Sequence, residues 1–167
     1  MSKSLRIPKR RRRENKTDYK ARLQILQSGI TRIVIRRTNK YIVMQAVESH
    51  ESQDKVIKGV TSKDLISQGW DAKLAGSLKS IPAAYLTGLL MAQKLGKSKS
   101  DYIIDIGMAR NHSGSRIFAG LKGLVDGGLN VHAGEEAFPP ENRLNGKHID
   151  NKEVQAMIKK LKEKLLK

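Results

Sequence analysis

Residues 31–48 read TRIVIRRTNKYIVMQAVE, two apolar runs separated by a short polar segment. Ile and Val dominate both runs, and β-branched residues favour the extended backbone of a strand. Thr38-Asn39-Lys40 lies between the runs and has the residue types of a tight turn, although Asn-Lys is a poorer turn pair than Asn-Gly. The segment therefore predicts a β-hairpin with strands over residues 31–37 and 41–48.

A third strand and a longer helix are predicted after the hairpin. Residues 54–60 alternate two sets of side chains, as a half-exposed strand does. The tetrapeptide at 61–64, TSKD, offers caps for a short helical turn that leads toward Trp70. The longer helix is predicted to begin near Pro82, because proline lacks an amide donor and the first turn of a helix does not need one. It is predicted to end at Gly96.

Another strand and another helix follow. Residues 102–106, YIIDI, form a nearly continuous apolar run that is typical of a strand buried on both faces. The next helix is predicted to begin after a cap at Ser113 or Ser115 and to end at Gly127-Gly128. Residues 130–149 contain several turn formers and are predicted to be an ordered loop.

The predicted order is β-β-β-α-β-α, preceded by a short helix over residues 19–27. An antiparallel meander followed by a crossover helix and a further strand indicates a mixed sheet with packed helices. A chain of 167 residues, 38% of them hydrophobic, suffices for one core of this kind. We therefore predict an α/β fold with a basic arm (1–22), one α/β domain (23–149) and a C-terminal amphipathic helix (150–167).

The charge of the chain is strongly basic and unevenly distributed. Lys and Arg number 33 against 16 Asp and Glu, which gives a net charge of +17. Residues 1–22 carry nearly half of this excess, because ten of their side chains are basic and two are acidic. Such an arm cannot bury apolar surface, so we expect it to be disordered alone and to fold on a polyanion, of which nucleic acid is the commonest.

Several classes of site are excluded or disfavoured. The absence of Cys excludes disulfides and Cys-ligated zinc, and the four His are too scattered for a metal site. Gly96-Lys97-Ser98 ends like a P-loop, but that motif needs a glycine where this chain has Met91. No apolar run approaches a membrane span or follows the basic N-terminus as in a secretory signal. We therefore expect a soluble cytoplasmic protein with no metal, no cofactor, no small-molecule substrate and no membrane partner.

A metal-dependent nuclease is the alternative from another class, because this order of elements also occurs in RNase H-like nucleases. Two-metal phosphoryl transfer needs several carboxylates at adjacent strand ends. The first strand instead carries Arg32, Arg36 and Arg37, while Asp101 and Asp105 have no acidic partners from the meander. A generic single-strand RNA chaperone is also disfavoured, because the chain has only seven aromatic residues for stacking on bases. We therefore predict an RNA-binding protein and no enzyme.

The hairpin turn has the chemistry of an RNA contact. Arg36 and Arg37 can form forked hydrogen bonds to phosphates. Asn39 can reach base edges or a 2′-hydroxyl, and Tyr41 can stack on a base. The structural alternative is that Asn39 is only the turn residue and that the two arginines form a solvated strand face. The RNA-binding interpretation is favoured because the turn repeats the chemistry of the arm.

A set of motifs along nearly the whole chain resembles the archaeal and eukaryotic form of a large-subunit ribosomal protein family, the universal L-eighteen family, whose members bind 5S ribosomal RNA. The matching motifs are Arg10-Arg11-Arg12-Arg13-Glu14, Thr17-Asp18-Tyr19, Arg22-Leu23, Ser28-Gly29, Asn39-Lys40, Ser62-x-Asp64-Leu65, Gly69-Trp70, Pro82-x-Ala84-Tyr85-Leu86-Thr87-Gly88-Leu89-Leu90, Asp105-Ile106-Gly107, Gly114-Ser115-Arg116-Ile117-Phe118-Ala119 and Gly146-x-His148-Ile149. Together they are specific, although each alone is weak. The chain ends soon after one amphipathic helix, which favours the archaeal type.

The resemblance implies a non-catalytic fold of RNase H-like topology in the central protuberance of the large ribosomal subunit, in the cytoplasm. It implies 5S and 23S ribosomal RNA as partners, with a neighbouring 5S-binding ribosomal protein close by. The resemblance also implies that the arm and the hairpin turn contact RNA, and we add further basic residues to these predicted contacts. The predicted RNA-binding residues are Lys9, Arg10, Arg11, Arg12, Arg13, Lys16, Tyr19, Lys20, Arg22, Arg36, Arg37, Asn39, Lys40, Tyr41, Lys63, Lys79, Arg110 and Arg116.

Overall fold

The structure is a computed structural model that describes residues 7–51, 53–96 and 100–166. The first residues of the predicted arm and the Lys97-Ser98 part of the P-loop-like tripeptide lie outside these ranges. The strands of the described chain are β1 (Arg32–Arg37), β2 (Ile42–His50), β3 (Gln53–Thr61), β4 (Asp101–Asp105) and β5 (Asn130–Val131). They form one mixed sheet in the order β3-β2-β1-β4-β5.

Helices precede, connect and follow the strands. They are α1 (Arg10–Arg13), α2 (Tyr19–Gln27), α3 (Leu65–Gln68), α4 (Ile81–Leu95), α5 (Arg116–Asp126), α6 (Glu141–Leu144) and α7 (Lys152–Leu165). Short 3-10 turns occur at Ser62–Asp64, Ala72–Ser77 and Glu135–Ala137. Across the described ranges, no helix has the length and apolar character needed to cross a membrane.

The hairpin of β1 and β2 is confirmed. The two strands are antiparallel, with Arg37 opposite Ile42 beside the turn. Thr38 closes the turn, because its amide and its hydroxyl donate to the Tyr41 carbonyl at 2.9 and 2.8 Å. On its other side β1 lies parallel to β4, which follows α4 in the chain. The predicted single α/β domain with a mixed sheet is therefore correct.

Helices α4 and α5 pack against each other and against the sheet. The β1 side chains that face them, Ile33 and Ile35, are completely buried. α4 is buried from Pro82 to Ala92, because α5, α7 and the sheet surround it. This explains why α4 is apolar on all sides, whereas α7 buries a single stripe that includes Val154 and Leu161.

The contact between α4 and α5 depends on glycines that let the two backbones approach closely. A Cβ atom on Gly88 would lie 2.1 Å from the carbonyl oxygen of Gly120, and one on Gly123 would lie 2.2 Å from the carbonyl oxygen of Tyr85. Such distances are far below van der Waals contact. Any larger residue would therefore force the helices apart.

Tyr85 joins three helices at the centre of the core. It lies on α4, and its hydroxyl donates to Asp126 Oδ2 at the end of α5 at 2.8 Å. The ammonium of Lys162, on α7, lies 5.3 Å from the centre of the Tyr85 ring. Burial, together with the hydrogen bond to the Asp126 carboxylate, raises the pKa of Tyr85. The phenol therefore stays protonated as a donor at neutral pH.

Three sequence predictions need correction. The strand at 102–106 is not buried on both faces: β4 buries only Tyr102, because the helices cover just one face of the sheet. Residues 130–149 are not simply a loop, since β5 adds an edge strand and α6 a helical turn. Strand β3 is exposed on both faces as far as Gly59, because it lies at the other edge of the sheet.

Candidate nucleic-acid interface

The described part of the arm exposes its arginines. Arg10 to Arg13 form α1, and none of the four is buried. Two cations of the arm pair with a nearby acid: Arg10 Nη1 lies 3.2 Å from Glu14 Oε1, and Lys16 Nζ lies 2.8 Å from Glu14 Oε2. Exposed pairs of this kind contribute little stability. These side chains can therefore exchange a carboxylate for a phosphate at small cost.

Helix α2 continues the arm and joins it to the sheet. Asp18 caps the helix by accepting from the amides of Lys20 and Ala21 at 3.0 and 3.2 Å. The Lys9 ammonium lies 4.8 Å from the centre of the Tyr19 ring, which gives a cation–π contact. Tyr19 is thus already in contact with a cation within the protein. Helix α2 runs from Tyr19 to Gln27, so it continues past residue 22, where the charge distribution placed the end of the arm.

Five charged residues of alternating sign connect α2 to the end of β4, and we call them the ion-pair row. Arg22 Nη2 lies 2.9 Å from Asp54 Oδ2, and Arg32 Nη2 lies 2.6 Å from the same oxygen. Arg32 Nε lies 3.9 Å from Asp105 Oδ2, and Arg36 Nη2 lies 2.9 Å from Asp105 Oδ1. The row follows the sheet face opposite α4 and α5. It fixes the start of the domain to β1, β3 and β4.

Asp54 is the acid between the first two arginines of the row. Burial alone would raise its pKa, but hydrogen bonds from Arg32, Ser49 and Arg22 outweigh burial and hold the pKa well below its usual value. The carboxylate is therefore charged throughout the neutral range. Arg32 is 5% exposed, so its guanidinium is a structural cation that RNA cannot easily reach.

The two arginines at the end of β1 have different environments. Arg36 was predicted to contact RNA, but its Nη1 donates to the carbonyl oxygens of Ile35 and Asp105 at 3.0 and 2.6 Å in addition to its ion pair. Gly107 lies directly against this guanidinium, since a Cβ there would be 2.9 Å from Arg36 Cζ. Arg37 is exposed, and among the described residues its side chain has no ion-pair or hydrogen-bond partner.

The end of β4 is where the nuclease alternative would need a cluster of carboxylates. Asp105, the acid at the end of β4, contacts two arginines and no carboxylate. Within the described ranges, no three His, Asp or Glu side chains come together as a group that could hold a metal ion. The arginines of β1 thus occupy the position where two-metal cleavage would need acids.

The hairpin turn keeps the side chains that were predicted to contact RNA at the surface. Arg37, Asn39 and Lys40 are exposed. Tyr41 is half-buried and packs against the core, so only part of its ring is available for stacking. The turn therefore presents two cations and one amide.

A cleft of about 980 Å³ opens where β1 and β4 end, and we call it the basic cleft. The loop between β4 and α5, the first residues of α5 and the arm residues Asn15 and Lys16 complete its walls. The cleft brings together five predicted RNA contacts from four places in the sequence. They are Lys16, Arg36, Arg37, Arg110 and Arg116. No Asp or Glu is among the described residues that line it.

Other predicted contacts lie elsewhere. Lys63 follows β3 in a 3-10 turn and Lys79 precedes α4, and both are exposed outside the basic cleft. Conversely, sequence reasoning missed Asn15, His112 and Ser115, which line the cleft beside the arginines. Ser115 was predicted only as a helix cap, and its position before a basic residue was the available signal.

Exposed arginines, a cationic cleft free of acids and an α/β core define a protein of the polyanion-binding class. Comparison with known proteins gives the family. The family model described as ribosomal large subunit proteins 60S L5 and 50S L18 matches residues 3–101 and 95–133. The chain belongs to this family, as its motifs predicted.

Individual relatives agree with this assignment. The large ribosomal subunit protein uL18 of Methanoculleus marisnigri is 46% identical over 144 residues, which cover 86% of this chain and 80% of the relative. The uL18 proteins of Methanoregula boonei and Korarchaeum cryptofilum are each 45% identical over 141 residues, or 84% of this chain and 79% and 70% of the relatives. The archaeal type of the family and a location in the cytoplasmic large ribosomal subunit are therefore both supported.

Proposed function

We propose that this chain binds 5S ribosomal RNA and helps to attach it to 23S ribosomal RNA in the central protuberance of the large subunit. The protein acts as a structural, non-enzymatic component, with a neighbouring 5S-binding ribosomal protein beside it. Family membership supports the ribosomal role. The choice of 5S RNA comes from the motifs of the arm, the hairpin turn and α5, which resemble those of 5S-binding members.

The observation that carries the proposal is the composition of the basic cleft. Arg37, Arg110 and Arg116 line it, and within the described chain none of their side chains has an ion-pair or hydrogen-bond partner. Lys16 of the arm lies in the same cleft. Three uncompensated cations on one concave surface favour a polyanion, and guanidinium groups match the geometry of phosphate oxygens.

Each part of the chain has its own role in this proposal. Residues 1–22 act as an RNA-binding arm, residues 23–149 as the RNA-binding α/β domain, and residues 150–167 as a helix. That helix contributes mainly to the core, because α7 packs against α4. Phosphate contacts by the arm and the cleft provide affinity, while Asn39 and the exposed part of Tyr41 provide contacts to bases and sugars.

A gel-shift titration tests the proposal. The full chain should bind 5S RNA more tightly than an unstructured RNA of equal length, and affinity should fall steeply with salt because each neutralised phosphate releases counterions. Equal affinity for both RNAs would refute 5S recognition. The same samples test the nuclease alternative: incubation with Mg²⁺ or Mn²⁺ should leave the RNA intact, and cleavage abolished by Asp105→Asn would establish an enzyme.

A further inference from the structure

The N-terminus of α5 opens into the basic cleft. Ser115 is the N-cap residue of this 11-residue helix, and both Ser115 and Arg116 line the cleft. The first amides of a helix have no carbonyl partner within the helix and carry a partial positive charge. Donors that an anion could use are therefore located at the wall of a cationic cleft.

The side chain of Ser115 does not cap α5. The backbone of Ser115 has the extended conformation of an N-cap, yet its side chain makes no hydrogen bond to the helix. Its Oγ is buried and has no hydrogen-bond partner among the described residues. By contrast, Asp18 caps α2 and Asn151 caps α7 through their side-chain oxygens. A buried hydroxyl without a partner costs free energy, which a ligand oxygen can recover.

The charges around this helix end are not compensated within the protein. Arg36 pairs with Asp105 and Lys16 with Glu14, whereas Arg37, Arg110 and Arg116 line the cleft without an ion-pair partner among the described residues. A monovalent or divalent oxyanion would meet both hydrogen-bond donors and positive charge there. A cation would be repelled by the same groups.

We infer that the N-terminus of α5 is a phosphate-binding subsite that holds a backbone phosphodiester of RNA. The first amides of α5 donate to the phosphate oxygens, and Ser115 Oγ joins them once its side chain rotates toward the cleft. Arg116, Arg37 and Arg110 balance the charge of the phosphate. The inference rests on the proposed function only in taking RNA as the polyanion. It adds that this contact reads no sequence, because backbone amides and a hydroxyl contact only the phosphate.

The dimensions of the cleft favour a phosphate within a nucleic-acid chain over a free ion. Its volume of about 980 Å³ lies near the top of the range of roughly 300–1,000 Å³ that is usual for ligand pockets. A phosphate alone would leave most of this space to water. A nucleotide chain would place its sugars and adjacent phosphates against Arg37 and Lys16.

Amide NMR of the full-length protein tests the subsite with two probes. Inorganic phosphate tests anion binding alone, and a short oligouridylate tests a phosphodiester backbone without 5S sequence or structure. Both probes should shift the amide signals of Ser115, Arg116 and Ile117. Ser115→Ala and Arg116→Gln should each weaken oligouridylate binding about tenfold, the effect of losing one charge-assisted hydrogen bond. Lys160→Gln, an exposed change on α7 outside the cleft, should bind like the parent.

Thermal melting separates binding from folding. Because the buried Ser115 Oγ without a partner costs free energy in the free protein, Ser115→Ala should melt at or slightly above the parental temperature in chloride buffer and lose only the stabilisation that phosphate or RNA confers. Unmoved α5 amides with both probes would overturn the inference, and so would shifts with inorganic phosphate alone. Because the subsite is independent of sequence, Ser115→Ala should weaken 5S RNA and unstructured RNA equally. A failure of 5S selectivity would therefore be distinguishable from a failure of the subsite.

Discussion

Arg36→Ala should mainly lower the stability of the fold, whereas Arg37→Ala should mainly weaken RNA binding, although the two residues are neighbours in sequence. Arg36 donates to Asp105 Oδ1 at 2.9 Å and to the carbonyls of Asp105 and Ile35 at 2.6 and 3.0 Å. Its side chain is 42% exposed, so these bonds are discounted from the full strength of buried charge-assisted bonds. Arg36→Ala should lower the free energy of unfolding by about 1–3 kcal/mol.

Arg37→Ala should change the free energy of unfolding by less than about 0.5 kcal/mol, because the side chain is exposed and has no partner in the described structure. It should instead weaken RNA binding and reduce the slope of log affinity against log salt by about one unit. Urea unfolding measures the first quantity, and gel-shift titrations at several salt concentrations measure the second. Lys160→Ala provides a control of equal charge change on α7.

The melting temperature gives a second readout. For a chain of this size, each 1 kcal/mol shifts the melting temperature by roughly 2–4 °C. Arg36→Ala should therefore melt several degrees below Arg37→Ala. Equal stability of the two variants would refute the structural role of Arg36, and unchanged RNA affinity in Arg37→Ala would refute its role in the cleft.

Three further predictions concern packing, pH and the arm. Gly88→Ala should destabilise the protein by about 1–3 kcal/mol in urea unfolding, because its Cβ would lie 2.1 Å from the Gly120 carbonyl oxygen. Gly76→Ala, with no atom within 4 Å of the added Cβ, should be neutral. The lowered pKa of Asp54 stabilises the fold above the ordinary carboxyl pKa of about 4, and this stability should be lost as pH falls through the folded-state pKa. An acid titration of stability should show that Asp54→Asn lacks this pH-dependent loss. If the variant and the parent lose stability identically as pH falls, the loss does not come from Asp54. Removing residues 1–16 should keep the core folded but cut RNA affinity and the salt slope strongly, and the NMR order parameters of residues 7–16 in the full chain should rise when RNA is bound.

Local patterns sufficed for most of the fold. The helix over Tyr19–Gln27 was predicted with its observed bounds, and the hairpin, α4 and α5 were predicted within a few residues. Caps, β-branched runs and terminal glycines determine these elements through interactions between near neighbours. The burial of β4 was predicted wrongly, because an apolar run does not show that helices cover only one face of the sheet.

The candidate site was predicted as a set of residues but not as an arrangement. Basic composition identified Lys16, Arg37, Arg110 and Arg116 individually, yet their common cleft arises only when β1 and β4 pair in parallel. Sequence could not distinguish Arg36 from Arg37 for the same reason. The partner of Arg36 is Asp105, 69 positions away in the chain, and no local pattern reports such a contact.

Sequencing the RNA that stays with the full chain at moderate salt tests the central claim most directly. The protein, purified from a lysate that contains intact ribosomal RNA, should retain 5S RNA far above its share of the input, and Arg37→Ala combined with Arg116→Gln should reduce the amount recovered. Retention of RNAs in proportion to their abundance, without enrichment of 5S, would contradict the account.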